Sequence, residues 1–238
     1  VLSAVPRWIP DPVTFENYVG LFTQAQDFPV VRWLFNSLFI SFAHTGLVLL
    51  IASSAAYAFA RLEFKGREFG FMVVVATMII PAQITMIPVF LIVQKFGWFN
   101  SYYGLIIPGL AGGFGVFLLR QFFMQIPVEL EEAAFMDGAT PITIYWKVIL
   151  PLAKPALAAL AIFSFIGSWN DFAWPLIITN DINLRTLPID IMIVQGRYTQ
   201  EFGLTMAAAA VCTVPIIIAF LIFQKRITEG IAMTGLKG

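Results

Sequence analysis

The chain has 238 residues, of which 59% are hydrophobic and 12% are charged, and its formal net charge is zero. Soluble domains carry about 25% charged residues, so this composition excludes an ordinary soluble globular protein and indicates a lipid bilayer as the solvent. A net charge of zero also removes the electrostatic basis for nucleic-acid binding.

Stretches without a charged residue predict the membrane-spanning helices. About 20 apolar residues cross the hydrocarbon core, and five stretches meet or approach that length. They are Trp33–Ala60, Phe69–Gln94, Phe96–Leu119, Pro155–Asn170 (extended by Phe172–Asn180) and Phe202–Gln224. We predict an all-α, polytopic transmembrane helical bundle over 33–224, with an extracytoplasmic segment over 1–32 that holds one short helix around Phe15–Leu21.

The distribution of Lys and Arg predicts the orientation of the bundle. Loops after the first, third and fifth spans hold nine of these residues, and the opposite loops hold five. The positive-inside rule places the richer side in the cytoplasm. The loop over 120–154 and the tail over 225–238 are therefore expected to be cytoplasmic.

Two spans carry polar residues that are candidates for a solute path. The second span contains Pro81 and Pro88, which predict a kinked or broken helix lining a cavity, with Gln83 and Thr85 between them. The fourth span ends in Asn170 and Asp171, polar residues at a depth where such groups are often functional. An alternative remains open, in which Asp171 marks the outer interface and Trp169 and Trp174 form an aromatic belt.

Small residues in the third span predict close helix packing. Gly109 and Gly113 form a GxxxG pair, and Ala111 and Gly115 repeat that spacing. No Gly-Lys-Ser/Thr follows them, so a phosphate-binding loop is not expected.

The loop over 120–154, here called the island, is predicted to form two short helices. Pro127 suits the first turn of the first helix, and Gly138 suits the left-handed residue that ends it. Thr140 as N-cap and Pro141 at the first position then begin the second helix. Leu150-Pro151 ends or kinks it.

Each island helix has an apolar stripe at helical spacing, and these stripes predict which side chains share a face. Glutamates near the start of the first helix complement its dipole. The stripes are Ile126, Leu130, Ala133 and Ala134 in the first helix, and Ile142, Tyr145, Trp146 and Ile149 in the second.

The island resembles the EAA loop of binding-protein-dependent ABC importer permeases. Glu132-Ala133-Ala134, Gly138, Val148 and Leu150-Pro151 stand at that family's spacing, with Val148 in place of the usual isoleucine. The run Asp137-Gly138-Ala139-Thr140-Pro141 is similar to the carbohydrate-importer branch. Trp169-Asn170 and the tail Gly235-Leu236-Lys237-Gly238 look like its MalG-type subunits.

The resemblance implies a type I ABC importer permease fold in the cytoplasmic membrane of a prokaryote. It implies as partners a second permease, an ABC ATPase dimer and an extracytoplasmic solute-binding protein, besides membrane lipid. ATP and Mg would be held by the ATPase subunits, with no cofactor, metal or catalytic residue in this chain. Such subunits usually have six spans, so the resemblance also implies a further helix before Val1.

The resemblance also assigns roles to particular residues. The implied ATPase-coupling residues are Glu132, Ala133, Ala134, Asp137, Gly138, Leu150 and Pro151, and the implied tail contacts are Leu236, Lys237 and Gly238.

Three alternatives stay open at this point. The solute of an ABC importer could be something other than a sugar. An ion-coupled secondary transporter would need charged residues at mid-membrane, and none of the predicted spans has one at its centre. An intramembrane enzyme would rely on His44, the single histidine, which we interpret instead as a packing or hydrogen-bonding residue.

Overall fold

A computed structural model describes residues 13–23, 29–189, 191 and 202–235, and all regular structure in this part of the chain is helical. Helix α1 lies in the N-terminal segment, and α2 is the 32-residue helix that follows it. The helices are α1 Glu16–Thr23, α2 Val30–Arg61, α3 Arg67–Thr77, α4 Ala82–Lys95, α5 Tyr102–Ile106 with a 3₁₀ turn Ile107–Leu110, α6 Gly113–Phe123, α7 Glu129–Met136, α8 Pro141–Ile144, a π-helical turn Tyr145–Ile149, α9 Leu150–Leu152, α10 Lys154–Trp169, α11 Ala173–Ile178 and α12 Phe202–Gly235.

The span count depends on how bent helices are counted. Within the described residues, α2 alone is long and apolar enough to cross a membrane, and up to four helices qualify if each bent pair forms one span. The three bent pairs are Arg67–Thr77 with Ala82–Lys95, Tyr102–Leu110 with Gly113–Phe123, and Pro141–Leu152 with Lys154–Trp169. The predicted helical bundle is therefore confirmed as an all-helical fold, whereas the five spans are not.

Helix α2 forms the centre of the bundle and packs mainly against α6 and α10. Its small side chains Ala52 and Ala56 are buried beside Leu119 and Phe123 of α6 and Leu160 of α10. Small residues let helix backbones approach closely in a bilayer, where no hydrophobic driving force holds helices together. The core thus follows the length of α2.

Pro81 breaks the second predicted span, as the sequence indicated. Helix α3 ends at Thr77, α4 begins at Ala82, and their axes differ by 101°. Proline at 81 has no N–H to continue the helix, and its extended backbone (ψ 133°) turns the chain. Pro88 lies inside α4 without interrupting it.

The glycines of the third predicted span permit close contacts, but they do not lie on one helix. Helical structure is interrupted at Ala111–Gly112, and this interruption separates Gly109 in the 3₁₀ turn from Gly113 at the start of α6. A Cβ on Gly113 would lie 2.7 Å from the carbonyl oxygen of Val74. The predicted packing role is confirmed, and the predicted single span Phe96–Leu119 is corrected to a pair of helices bent by 45°.

Gly113 and its neighbour Gly112 offer a matched pair of substitutions. Gly113→Ala is expected to lower the free energy of unfolding by about 1–3 kcal/mol, because the new methyl group must displace the backbone of α3. A Cβ on Gly112 meets nothing within 4 Å, so Gly112→Ala is the control. Thermal stability in detergent measures both, and equal melting temperatures would contradict the packing contact.

Arg120 lies inside α6 rather than in the island. Its guanidinium is buried, with Nη2 donating to both carboxylate oxygens of Glu68 at 3.0 and 3.1 Å and Nε donating to the Phe59 carbonyl at 3.1 Å. It also lies 4.0 Å from the ring centroid of Phe71. These bonds hold the charge of Arg120 within the helical core. Because α6 continues to Phe123, the part of the island outside the core begins after that residue.

Trp169 belongs to the core and not to an aromatic belt. It is buried, and its ring stacks on Phe165 with centroids 5.9 Å apart. Its Nε1 donates to the Cys212 carbonyl of α12 at 3.2 Å. The indole thereby joins the end of α10 to the last helix.

The last helix is longer than its apolar stretch. Helix α12 continues past the predicted boundary at Gln224 as far as Gly235. The tail residues Leu236, Lys237 and Gly238 lie outside the described residues. The short helix predicted in the N-terminal segment is confirmed as α1 Glu16–Thr23.

Candidate functional site

The turn between the two island helices has the predicted geometry. Gly138 has a φ of +79°, the left-handed conformation that favours glycine, and its N–H donates to the Phe135 carbonyl at 2.9 Å. The Thr140 side chain accepts the N–H of Thr143, and Pro141 occupies the first helical position. Each helix end therefore has a partner for its backbone groups, which fixes the angle between the helices.

Two details of the island differ from the prediction. Helix α7 begins at Glu129, so Pro127 precedes the helix rather than forming its first turn. The chain bends by 79° after Leu152, so the Leu150-Pro151 kink is confirmed but falls two residues later.

The inward face of the second island helix is rotated from the predicted stripe. Ile144, Tyr145 and Ile149 are buried, whereas Ile142 and Trp146 are 72% and 54% exposed. Residues Tyr145–Ile149 also form a π-helical turn, so the 3.6-residue period on which the predicted stripe was based does not hold there.

The stripe predicted for the first island helix is half confirmed, because Ile126 is buried and Ala134 packs against the core, whereas Leu130 and Ala133 are exposed. Glu131 is the buried residue of this helix, while Leu130 and Phe135 are exposed and Met136 is 88% exposed. Together with Ile142 and Trp146, these side chains are five exposed large apolar residues of the island, and we call this group the coupling face. Exposed large apolar side chains that are grouped in one element are candidates for contact with a partner protein.

The predicted coupling residues lie in the same part of the chain as the coupling face. Glu132, Ala133, Asp137, Gly138 and Pro151 are exposed, whereas Ala134 and Leu150 are half-buried. The island therefore exposes both large apolar side chains and the carboxylates of Glu132 and Asp137.

Glu131 is buried because it pairs with the last residue of α2. Arg61 Nε lies 2.8 Å from Glu131 Oε1, and the two side chains are 12% and 8% exposed. Arg61 Nη2 also donates to the carbonyls of Phe123, at 2.7 Å, and Ile126. Burial raises the pKa of the Glu131 carboxyl, and the Arg61 guanidinium opposes that rise.

A second candidate site is a cavity of about 380 Å³ between α2, α4, α10 and α11. This volume is within the range of small-molecule sites. Three of the four predicted path residues, Gln83, Thr85 and Asp171, line it, and His44, Ser168 and Trp174 contribute to the same wall. The cavity thus combines an apolar wall with several hydrogen-bonding groups.

Asn170 is the path candidate that does not line this cavity. It is exposed and ends α10, with its N–H donating to the Ile166 carbonyl at 3.0 Å. Asp171, in contrast, faces the start of α11, where its Oδ1 accepts the N–H of Trp174 at 3.3 Å. Trp174 in turn donates its Nε1 to the Gly104 carbonyl at 2.9 Å.

His44 was not among the path residues predicted from the sequence, but it lines the same cavity as Gln83 and Asp171. A Cβ on Gly109 would lie 2.8 Å from His44 Nε2, so the missing side chain of Gly109 makes room for the imidazole. His44 also packs, as predicted. Gly109, which leaves space for the imidazole, is the feature of the sequence that could have indicated the position of His44. The two residues are 65 positions apart, so the sequence alone does not show that they meet.

Comparison with known proteins shows the family to which the chain belongs. The family model for binding-protein-dependent transport system inner membrane components matches residues 48–232. The chain is 36% identical to the arabinooligosaccharides transport system permease protein AraQ of Halalkalibacterium halodurans, over 96% of this chain and 81% of that protein. It is 37% identical to the trehalose/maltose transport system permease protein MalG of Thermococcus litoralis, over 94% and 82%.

The fold is similar to that of a solved transporter. The match is to a bacterial ABC transporter involved in the import of the acidic polysaccharide alginate, with a TM-score of 0.77 and 27% identity over 90% of this chain and 79% of that chain. The family model covers well over half of this chain, and both named relatives exceed 30% identity over nearly all of it. The chain therefore belongs to the binding-protein-dependent transport system inner membrane components.

Proposed function

We propose that this chain is a permease subunit of an ATP-driven importer for a sugar or a sugar derivative, and that the island couples it to an ATPase. The coupling face carries this proposal. Its apolar side chains lie outside the helical core, on the side of the bundle that the Lys and Arg distribution assigns to the cytoplasm. A capped two-helix element transmits displacement better than a flexible loop, since its backbone bonds are satisfied internally.

Family membership supports the remaining partners. An external binding protein would deliver the solute, and a dimer of ATPase subunits would hold ATP and Mg below the membrane. Helices α3 and α4 support a second permease, because Val93 is the one buried residue among the two helices. The exposed side of α4 includes Gln83 and Thr85 among apolar residues, which suits a shared solute path better than lipid alone.

The cavity supports a sugar as the solute. Hydroxyl, amide, imidazole and carboxylate groups line it together with Trp174, so a polyol ring would find hydrogen-bonding partners and an apolar surface. The arabinooligosaccharide and trehalose/maltose relatives are named for such solutes.

The proposal is tested by purification and energy dependence. A tagged chain is expected to copurify with an ATPase and a second permease, and its uptake of sugar should stop on ATP depletion but continue with a protonophore. Purification as a single polypeptide whose uptake follows an ion gradient would overturn the proposal in favour of a secondary transporter.

Gln83→Ala tests the cavity as part of the solute path. The exposed amide of Gln83 has room to bind a hydroxyl, and losing one such hydrogen bond would raise the half-saturation concentration for uptake by about twofold to tenfold. Gln94→Ala, near the other end of α4, is the matched control. Identical kinetics for both variants, at equal amounts of assembled complex, would exclude Gln83 from the path.

A further inference from the structure

Helix α2 contacts the island through three polar side chains at every fourth residue. Ser53, Tyr57 and Arg61 lie on one face of α2, since residues four apart share a helix face. We call them the α2 ladder. Each reaches a different part of the island, next to the cluster of apolar side chains that packs α2 against the island.

The upper two members of the α2 ladder hold the second island helix. Ser53 Oγ lies 2.7 Å from the hydroxyl of Tyr145 and donates its own proton to the Leu49 carbonyl, so Tyr145 is the donor in the first bond. Tyr57 donates to the Pro141 carbonyl at 3.2 Å, and its ring packs on Tyr145 with centroids 5.3 Å apart. Both contacts are made by buried side chains.

The lowest member, Arg61, holds the first island helix. A buried glutamate is unusual, and α7 buries Glu131 while its large apolar side chains Phe135 and Met136 are exposed. The ion pair with Arg61 explains that arrangement, because a buried carboxylate needs a charged partner. Arg61 also donates to the carbonyls of Phe123, the last residue of α6, and of Ile126, so it joins α2, α6 and α7 at one point.

Helix α2 extends from this contact to the solute cavity without a break. His44 lies 17 residues before Arg61 on the same helix, a distance of about 25 Å along its axis. Helix α2 contains no proline. Because α2 is one uninterrupted helix, a displacement of its end at the island is expected to displace His44 in the wall of the cavity as well.

We infer that the α2 ladder is the connection through which displacement of the island reaches the solute cavity, with Arg61 and Tyr57 as positioning residues. This inference rests on the proposed function. The ladder gives the two adjacent glutamates different roles: Glu131 faces inward and fastens α7 to α2, whereas Glu132 is exposed beside the coupling face. Pulling or pushing α7 then acts directly on α2.

Tyr57→Phe tests the inference with little risk to folding, because it removes one hydroxyl and keeps the ring. In proteoliposomes holding the complete importer, uptake per ATP hydrolysed is expected to fall by about twofold to tenfold. Tyr103→Phe is the matched control, since Tyr103 is exposed at the start of α5. A ratio equal to that of the control, with equal assembly, would overturn the role of Tyr57.

A double-mutant cycle tests the ion pair. Arg61→Met and Glu131→Leu are each expected to lower uptake per ATP by about fivefold or more, and the double variant should be no worse than either. If a single variant fails to assemble, uptake per ATP in the double variant alone tests the ion pair, because two apolar residues leave no unpaired buried charge. Glu63→Gln, in an exposed loop, is the control.

The outcomes separate this inference from the proposed function. Variants that copurify with the ATPase and transport with the wild-type ratio would overturn the ladder and leave the permease role intact. Absence of any ATPase from the wild-type preparation would instead overturn the proposed function.

Discussion

Gly138→Pro is expected to abolish uptake while leaving the chain in the membrane. Gly138 has a φ of +79°, and its N–H donates to the Phe135 carbonyl. Proline fixes φ near −65° and has no N–H, so the turn must reorganise at about 3 kcal/mol or more. The coupling face would then lose the fixed angle between its two helices, and ATP hydrolysis would no longer drive uptake.

Gly138→Ala distinguishes the effect of disrupting the turn from the effect of replacing glycine by any other residue. A Cβ at this position meets nothing within 4 Å, so alanine bears only the left-handed backbone cost of about 1–2 kcal/mol. We expect reduced but measurable uptake with alanine and none with proline. Uptake of radiolabelled sugar, normalised to the amount of chain in the membrane, measures both. Wild-type uptake by the proline variant would contradict the role of the turn.

Glu132→Lys is expected to uncouple ATP hydrolysis from uptake. Glu132 is exposed, so the substitution leaves the packing of α7 unchanged and reverses a charge beside the coupling face. A reversed charge at an interface commonly costs several kcal/mol through like-charge contacts, which predicts weaker binding of the ATPase. Recovery of ATPase with the tagged chain, together with uptake, measures the effect.

Glu63→Lys is the matched control for that reversal. It makes the same change on an exposed residue of the α2–α3 loop, which also lies on the side assigned to the cytoplasm. We expect normal ATPase recovery with this variant. Equal losses for both variants would mean that net charge, rather than the coupling face, governs the interaction.

Local signals in the sequence were sufficient for the turn of the island. Gly138, Thr140 and Pro141 specify a helix stop and a helix start through their own backbone preferences, and the structure has both. Pro81 likewise predicted the break in the second span. These features depend on a few adjacent residues, which is why a single sequence reveals them.

Contacts between distant residues could not be predicted in this way. Arg61 pairs with Glu131 and Arg120 with Glu68, and neither pattern nor spacing shows which arginine meets which glutamate. The pair with Arg61 holds Glu131 inward, so Leu130 and Ala133 of the predicted stripe are exposed, whereas Ile126 and Ala134 face the core as predicted. Ile142 and Trp146 of the second predicted stripe are exposed as well, and the period of a regular helix does not describe the π-helical turn over Tyr145–Ile149.

The candidate path was only partly predictable for a related reason. Polarity within apolar spans was enough to select Gln83, Thr85 and Asp171, which line one cavity. The same criterion selected Asn170, which is exposed at the end of α10 outside that lining. The position of a polar residue around its helix decides whether it faces a cavity, and that position follows from packing.

Site-directed photo-crosslinking at Met136 tests the central claim most directly. Met136 is 88% exposed on the coupling face, so a photoreactive amino acid there should leave the fold unchanged. The same probe at Ile51, an exposed residue of α2 within the predicted first span, is the control. The account predicts a crosslink from position 136 to the ATPase subunit and none from position 51. A crosslink from position 136 to lipid alone, in a complex that retains the ATPase, would contradict it.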